Sequence, residues 1–476
     1  MHWFVFCVIS VFFGNYVVKA YSGVEEMYYW KEIIYEDLPL NDDTLIGKYP
    51  YFLPYNNDVS GVEYHAQSGL MVTTVARIRP GIPSTLNAFC VADYAKGTSP
   101  HIWGFPNYER NLLKASFYES GSSRNLQSTE KYSAGYYNFF YRTKESNGRK
   151  NVHQSISLYN DYSHATDYCI INLYCPNVDN FCNRLYIVDT GTLYYSPSEI
   201  YYVQNPAILV FDLPSNGCQS RQFKLIRRVE IPNHLWKNPV GFVFITPDYQ
   251  PKGSCDDVFL YTINNFDNSL IVYDYKRGDF WSFTDATMKP ILAEANIFMD
   301  VVYNIPLGIA NVALGWSDKN GDRNAYFAPG SSLAEYIVST KVLKSSKSAY
   351  KDTSDEFSLI GYRGCNSQTY KQVFDPTTGV IFFGDLFAHR VHCWNTRLPL
   401  NPDTIGVVYE SDEIIFISDI SIDSNGYLWF ISSYLPYMFS TQDPLNVTEV
   451  NSRVFRVKVY DAIKGNVCDI SAYYLT

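Results

Sequence analysis

One unit recurs along this chain and constrains the fold more than any other feature. It consists of a strand of alternating character, an Asp/Asn/Gly turn, an apolar strand and then a further strand. The stretch from Ile414 to Pro436 shows it most plainly. Ile415, Ile417, Asp419 and Ser421 alternate with Phe416, Ser418, Ile420 and Ile422, the period of two expected of a strand. Asp423-Ser424-Asn425-Gly426 follows; Asp and Asn bond their own backbone, and Gly accepts a positive φ. Tyr427 to Ile431 is then aromatic and apolar, which suits a buried strand.

Six copies are legible, spaced by roughly 60 to 75 residues. The first runs from Gly61 to Val75, with a third strand near Ser84–Val91, and the second turns at Pro176–Asn180 and continues through Asp189. The third begins at Gly241, the fourth at Leu307 and the fifth at Gln368. The sixth is the Ile414 stretch, closed by Arg453–Tyr460, and Tyr28–Pro39 reads as an edge or closing strand. Radial repetition protects all but short strand edges, so the expectation is an all-β, six-bladed β-propeller, with an irregular double sandwich as the competing arrangement. A single domain spanning 21–476 follows, interrupted by a polar, Ser/Asn/Tyr-rich insertion at about 107–164 that carries no strand period.

Charge and composition narrow the function. A net charge of −10 argues against nucleic acid, whose phosphates demand a basic face. With 42 Tyr and 30 Phe, an acidic chain of this kind suits a small cation better. Residues 1–20 read as a signal peptide: Trp3–Phe13 is apolar, Val18-Lys19-Ala20 ends in small residues, and about 11 apolar residues cannot span a bilayer. No later apolar run is long enough to cross a membrane. A secreted, extracellular protein is therefore expected, with disulfides among the nine cysteines that follow Cys7. An odd count leaves at least one thiol free or paired between chains. Cys169, Cys175 and Cys182 fit no zinc spacing, so neither metal nor cofactor is expected. Asn446-Val447-Thr448 is a glycosylation sequon in a polar loop.

Catalytic patterns are thin. His65, His101, His153, His164, His234, His389 and His392 sit in no triad signature, and His392 falls within a strand, where packing is its expected role. Asp189, Asp274, Asp419 and Asp423 close strands or turns, where local backbone capping is the plain reading. Asp419 and Asn366 are the residues to consider for an axial calcium. The clusters Tyr136-Tyr137, Tyr194-Tyr195, Tyr201-Tyr202 and Tyr473-Tyr474 read either as β-sheet filler or as phenols that cross-link to extracellular matrix proteins.

Several short segments, in order along nearly the whole chain, resemble the Yellow/major royal jelly protein family of insects. They are Gly81–Asn87 (GIPSTLN), Arg184–Gly191 (RLYIVDTG), Asp267–Asp274 (DNSLIVYD), Cys393–Thr396 (CWNT), Tyr427–Trp429 with Leu435-Pro436, and Ile463–Asp469 (IKGNVCD). The resemblance implies a six-bladed propeller secreted into cuticle, eggshell or saliva. It also implies a link to pigmentation and sclerotisation, with dopachrome conversion or amine binding in some members. In amine-binding relatives the ammonium is held by a Thr, an Asn and a carbonyl; these carry over to Ser418, Ser433 and Leu435. Ser433 for Asn shortens one arm, so capture of a small aromatic amine or catechol-derived ligand is expected to be weaker here. The insertion, with Cys169 and Cys175, departs from the family's common pattern. The pairing Cys182–Cys255 is expected because both precede apolar strands in neighbouring repeats and sparse relatives retain these two; Cys365–Cys393 is expected within the fifth repeat. A matrix or pigmentation protein of cuticle or eggshell is the function expected, ahead of a dopachrome-type tautomerase or a salivary amine scavenger.

Overall fold

The second strand of each repeat is apolar on both faces because each face meets a different neighbouring sheet. In Leu70–Val75 every residue is buried. Leu70 and Val72 pack toward the second repeat, whereas Met71 and Val75 pack toward the sixth. Val380 and Phe382 likewise face the sixth repeat, while Ile381 and Phe383 face the fourth. Strands buried on both sides read as near-continuous hydrophobic runs, and this alternation fixes which residue meets which neighbour.

A computed structural model of the protein describes residues 23–39, 45–46, 49–114, 168–196, 198–215, 217–218, 221, 223–250, 253–298, 302–386 and 389–470. It contains six four-stranded antiparallel sheets. Their inner strands are Val59–His65, Asn177–Asp179, Phe242–Tyr249, Ile309–Ser317, Thr369–Asp375 and Ile417–Ile422. Neighbouring inner strands touch in cyclic order, the sixth against the first, which closes a six-bladed β-propeller around an axis. A separate apolar cluster fills each of the six gaps between blades, and one more lies on the axis. Closure is made by the chain's early segment: Glu25–Trp30 pairs with Ser452–Lys458 as the outer strand of the sixth blade. Trp30 is fully buried there, and its indole N–H donates to Pro100 O at 2.8 Å.

Disulfides link neighbours around the ring. Cys182 bonds Cys255, joining blades two and three, and Cys90 bonds Cys218, joining blades one and two. Cys393 bonds Cys468, so the expected Cys365–Cys393 pair is not formed. Cys393 points into the apolar gap between blades five and six, where Cys468 also lies, whereas Cys365 is exposed in the loop that enters blade five. Closing loops of 73 and 75 residues stabilises by about 4 kcal/mol each on the chain-entropy account.

The expected signal segment and Tyr136, Tyr137, Tyr473 and Tyr474 lie outside the described residues, as does most of the 107–164 insertion. Its first residues belong to the core: Asn111 is fully buried, its Oδ1 accepts from the N–H groups of Thr85 and Leu86 at 3.1 Å each, and Leu113 is buried. Tyr194 and Tyr195 are buried as well, which removes them as exposed cross-linking phenols; Tyr202 remains at the surface. Asn446 is exposed, and its Oδ1 accepts from the N–H and hydroxyl of Thr448. Among the described residues, no helix is long and apolar enough to cross a membrane.

Candidate functional site

At one end of the axis the inner strands begin together, and their first residues build an aromatic-walled cavity. Tyr174 stands just before the second inner strand, Val243 and Tyr370 near the starts of the third and fifth, and Leu307 and Phe416 just before the fourth and sixth. Phe266 and Asn265 come from the turn after Val258–Asn264, and Leu435, Pro436 and Phe439 from a short helix, Leu435–Ser440. The recess opens to solvent on one side, and its interior volume is about 50 Å3, which limits it to one small ligand. Ring contacts hold the walls: Phe244 meets Tyr370 edge-on at 4.8 Å, Tyr370 meets Phe416 at 5.3 Å, and Tyr194 stacks on Phe439 at 4.6 Å.

The helix that forms one wall is tied at both ends. The Tyr434 N–H before it donates to Asp58 Oδ2 at 2.8 Å, and Ser452 donates to Asp58 Oδ1 at 2.6 Å. Burial pushes the Asp58 carboxyl up to about 7, against the pull of these two donors. At the far end the buried Arg79 guanidinium donates to the carbonyls of Met438, Thr441 and Asp443. Of the residues expected to hold an ammonium, Leu435 lies in the cavity wall. Ser418 and Ser433 are fully buried beside it but stand outside that wall. The Ser433 hydroxyl donates to Ser418 Oγ at 2.9 Å and accepts from the Leu435 N–H at 3.4 Å. The fold brings the three together, with the Ser433 hydroxyl already committed.

A buried ionic cluster lies on the axis and was not anticipated. Lys371, Glu63 and Asp419 come from the inner strands of blades five, one and six, and each is at most 8% exposed. Lys371 Nζ contacts Asp419 Oδ1 closely and lies 3.3 Å from Glu63 Oε1. Asp419 also accepts from the N–H groups of Val62 at 3.0 Å and Ile420 at 2.9 Å. Burial pushes the Glu63 carboxyl up to about 8; Lys371 opposes that shift, and the Asp419 charge adds to it. Burial raises Asp419 too, opposed by Lys371 and the two backbone donors. The two carboxylates hold Lys371 well above the ordinary lysine value, outweighing its desolvation. The cluster therefore holds one ammonium between two carboxyl groups, both of which burial makes harder to ionise and the ammonium makes easier. The sequence carries part of the signal, since Glu63, Lys371 and Asp419 each fall within the inner strand of a different repeat.

This cluster corrects the reading of Asp419 as a local cap, since its carboxylate bridges blades. Asp189, Asp274 and Asp423 do cap backbone: Asp189 accepts from Ile171, Asn172 and Gly191, and Asp423 from Asn425 and Tyr427. Asp274 accepts from Lys276 and Arg277. Asn366, the other residue considered for an axial cation, is exposed in a loop. His392 packs on Phe383 within its strand and shares a 3.1 Å hydrogen bond with Asp385. Cys175 is a free, buried thiol whose Sγ donates to Ser418 O at 3.4 Å, and burial pushes it well above the usual thiol range.

Other proteins share this sequence over long stretches. Yellow-related salivary protein ASP2 of Phlebotomus orientalis is 30% identical over 97% of this chain and 100% of its own length. Yellow-related salivary protein SP03 of Phlebotomus perniciosus is 36% identical over 63% of this chain and 75% of its own length. L-dopachrome tautomerase yellow-f of Drosophila melanogaster is 30% identical over 88% of this chain and 83% of its own length. The family pattern described as Major royal jelly protein matches residues 176–468, more than half of the chain. With its six blades, its blade-bridging disulfides and these relatives, the chain belongs to the major royal jelly protein family, alongside the Yellow-related proteins.

Proposed function

We propose that this is a secreted Yellow-type protein that holds one small, tyrosine-derived aromatic molecule in its axial cavity and serves pigment or sclerotisation chemistry outside the cell. The observation that carries this reading is the chemistry of the cavity wall: five aromatic side chains, Tyr174, Phe266, Tyr370, Phe416 and Phe439, converge on one small recess at the axis. Such walls favour a flat ring and attract a cationic tail through the ring faces, worth about 0.5 to 2 kcal/mol. Secretion is supported by disulfides, which persist in oxidising compartments, and by salivary relatives. Saliva stands beside cuticle and eggshell as a setting, since the relatives named for a tissue are salivary.

Holding is favoured over conversion. A tautomerase must move a proton, and the described wall offers phenols and one amide but neither a carboxylate nor an imidazole. Glu63 and Asp419 stand outside that wall, committed to Lys371. Two measurements test this. Equilibrium dialysis with dopamine is expected to give one weak site per chain, micromolar or weaker. Addition of protein to L-dopachrome is expected to leave the rate of colour loss unchanged. Accelerated loss would restore the tautomerase, and nanomolar dopamine affinity would restore the amine scavenger.

A further inference from the structure

The cavity wall contains a buried polar atom that the fold leaves unused. Asn265 is 2% exposed and lines the cavity, yet its Oδ1 has no hydrogen-bond partner. A buried amide oxygen without a partner is costly, so an orphan of this kind calls for an explanation.

The surrounding turn holds the residue firmly in place. The Asn265 N–H donates to Gly241 O at 3.0 Å, and its own carbonyl accepts from the Gly308 N–H at 3.1 Å. The backbone is thus clamped between the entries to blades three and four. Asn264 Nδ2 donates to Asp267 Oδ2 at 2.9 Å and to Asn238 O at 2.8 Å, and the Asp267 N–H returns to Asn264 Oδ1 at 3.0 Å. A side chain at position 308 would put a Cβ 2.7 Å from the Asn265 carbonyl oxygen, so Gly308 is what permits the close approach. In this turn Asn264 is spent on structure and Asn265 is not.

We infer that the Asn265 amide reads a ring hydroxyl, so that the cavity selects phenolic and catecholic aromatics over the same molecules without the hydroxyl. This inference rests on the reading of the cavity as an aromatic-ligand site. A phenol suits the position because its O–H both donates and accepts, which satisfies the amide whichever of its two ends faces inward. A bare ring would leave the amide unpaired in a desolvated site. Sites built to pair a substrate hydroxyl reject the analogue lacking it for that reason.

The test is calorimetric titration of the full-length protein with dopamine and with phenethylamine, which differ only in the ring hydroxyls. The unmodified protein is expected to prefer dopamine by about tenfold or more. Asn265→Leu, of similar size, is expected to reduce that preference to within about twofold. Equal affinities for the two amines in the unmodified protein would overturn the inference and leave the aromatic-cavity reading standing. Binding of neither amine would overturn both. Comparison within the unmodified protein keeps the test decisive even where the variant fails to fold.

Discussion

Replacing Lys371 with Met removes the one cation between Glu63 and Asp419 and leaves two carboxyl groups facing each other on the axis. The side chains are 8%, 7% and 0% exposed, so water offers little replacement for the lost ammonium. Breaking a buried ion pair by deleting one partner costs about 3 to 5 kcal/mol. That cost depends on pH in a defined direction. Lys371 lowers both carboxyl pKa values in the folded protein, so its removal raises them further above the unfolded values. A raised folded pKa means that the folded state binds the proton more tightly, so the defect is largest at about pH 8 and shrinks toward pH 5 as both groups become neutral. The assay is guanidinium unfolding of the unmodified protein and the variant at the two pH values. The double variant Lys371→Met with Asp419→Asn is expected to recover most of the loss, because no uncompensated charge remains. A loss below about 1 kcal/mol at pH 8, or an equal loss at both pH values, would refute the assignment of the cluster as a tightly paired ionic core.

Other consequences are as direct. Glu63→Gln removes a group whose carboxyl is raised from 4.5 to about 8, and with it a fall in stability across that range; unfolding measured from pH 5 to 9 should show the variant gaining relative to the parent as pH rises. Cys182→Ser with Cys255→Ser opens a loop of 73 residues and is expected to lower stability by about 4 kcal/mol in denaturant titration, with the sheet content by circular dichroism retained. Ser433→Asn supplies the longer amide arm beside Leu435 and is expected to raise dopamine affinity about tenfold or more in calorimetry. Deletion of residues 116–146 is expected to leave the thermal transition nearly unchanged, whereas Asn111→Ala, which uncaps two backbone N–H groups of blade one, is expected to lower it measurably.

The propeller was legible because its determinants are local. Leu70–Val75 and Val380–Asp385 announce burial on both faces, and the turns that lead into such strands carry their own chemistry, as Asp423 and Gly426 do before Tyr427–Ser432. A closing strand was expected at Tyr28–Pro39; it lies earlier, at Glu25–Trp30, and its partner strand was not foreseen. What escaped were features that exist only once the ring is closed. Cys393 finds Cys468 because two segments far apart in the chain share one inter-blade gap. Asp419 looks like any turn-closing aspartate until Lys371 and Glu63 arrive from two other blades. The cavity wall is drawn from five blades and a helix, so Asn265 and Phe416 carry no joint signature in sequence. Ser418, Ser433 and Leu435 were reached through resemblance, and the structure keeps them adjacent while withholding two of them from the wall.

The most direct measurement is a crystal structure of the protein grown with dopamine at a concentration that saturates binding in solution. The account predicts one molecule on the axis, its ring between Tyr370, Phe416 and Phe439 and a ring hydroxyl within hydrogen-bond distance of the Asn265 amide. An empty cavity under those conditions, or dopamine bound only at the outer surface of the blades, would contradict it.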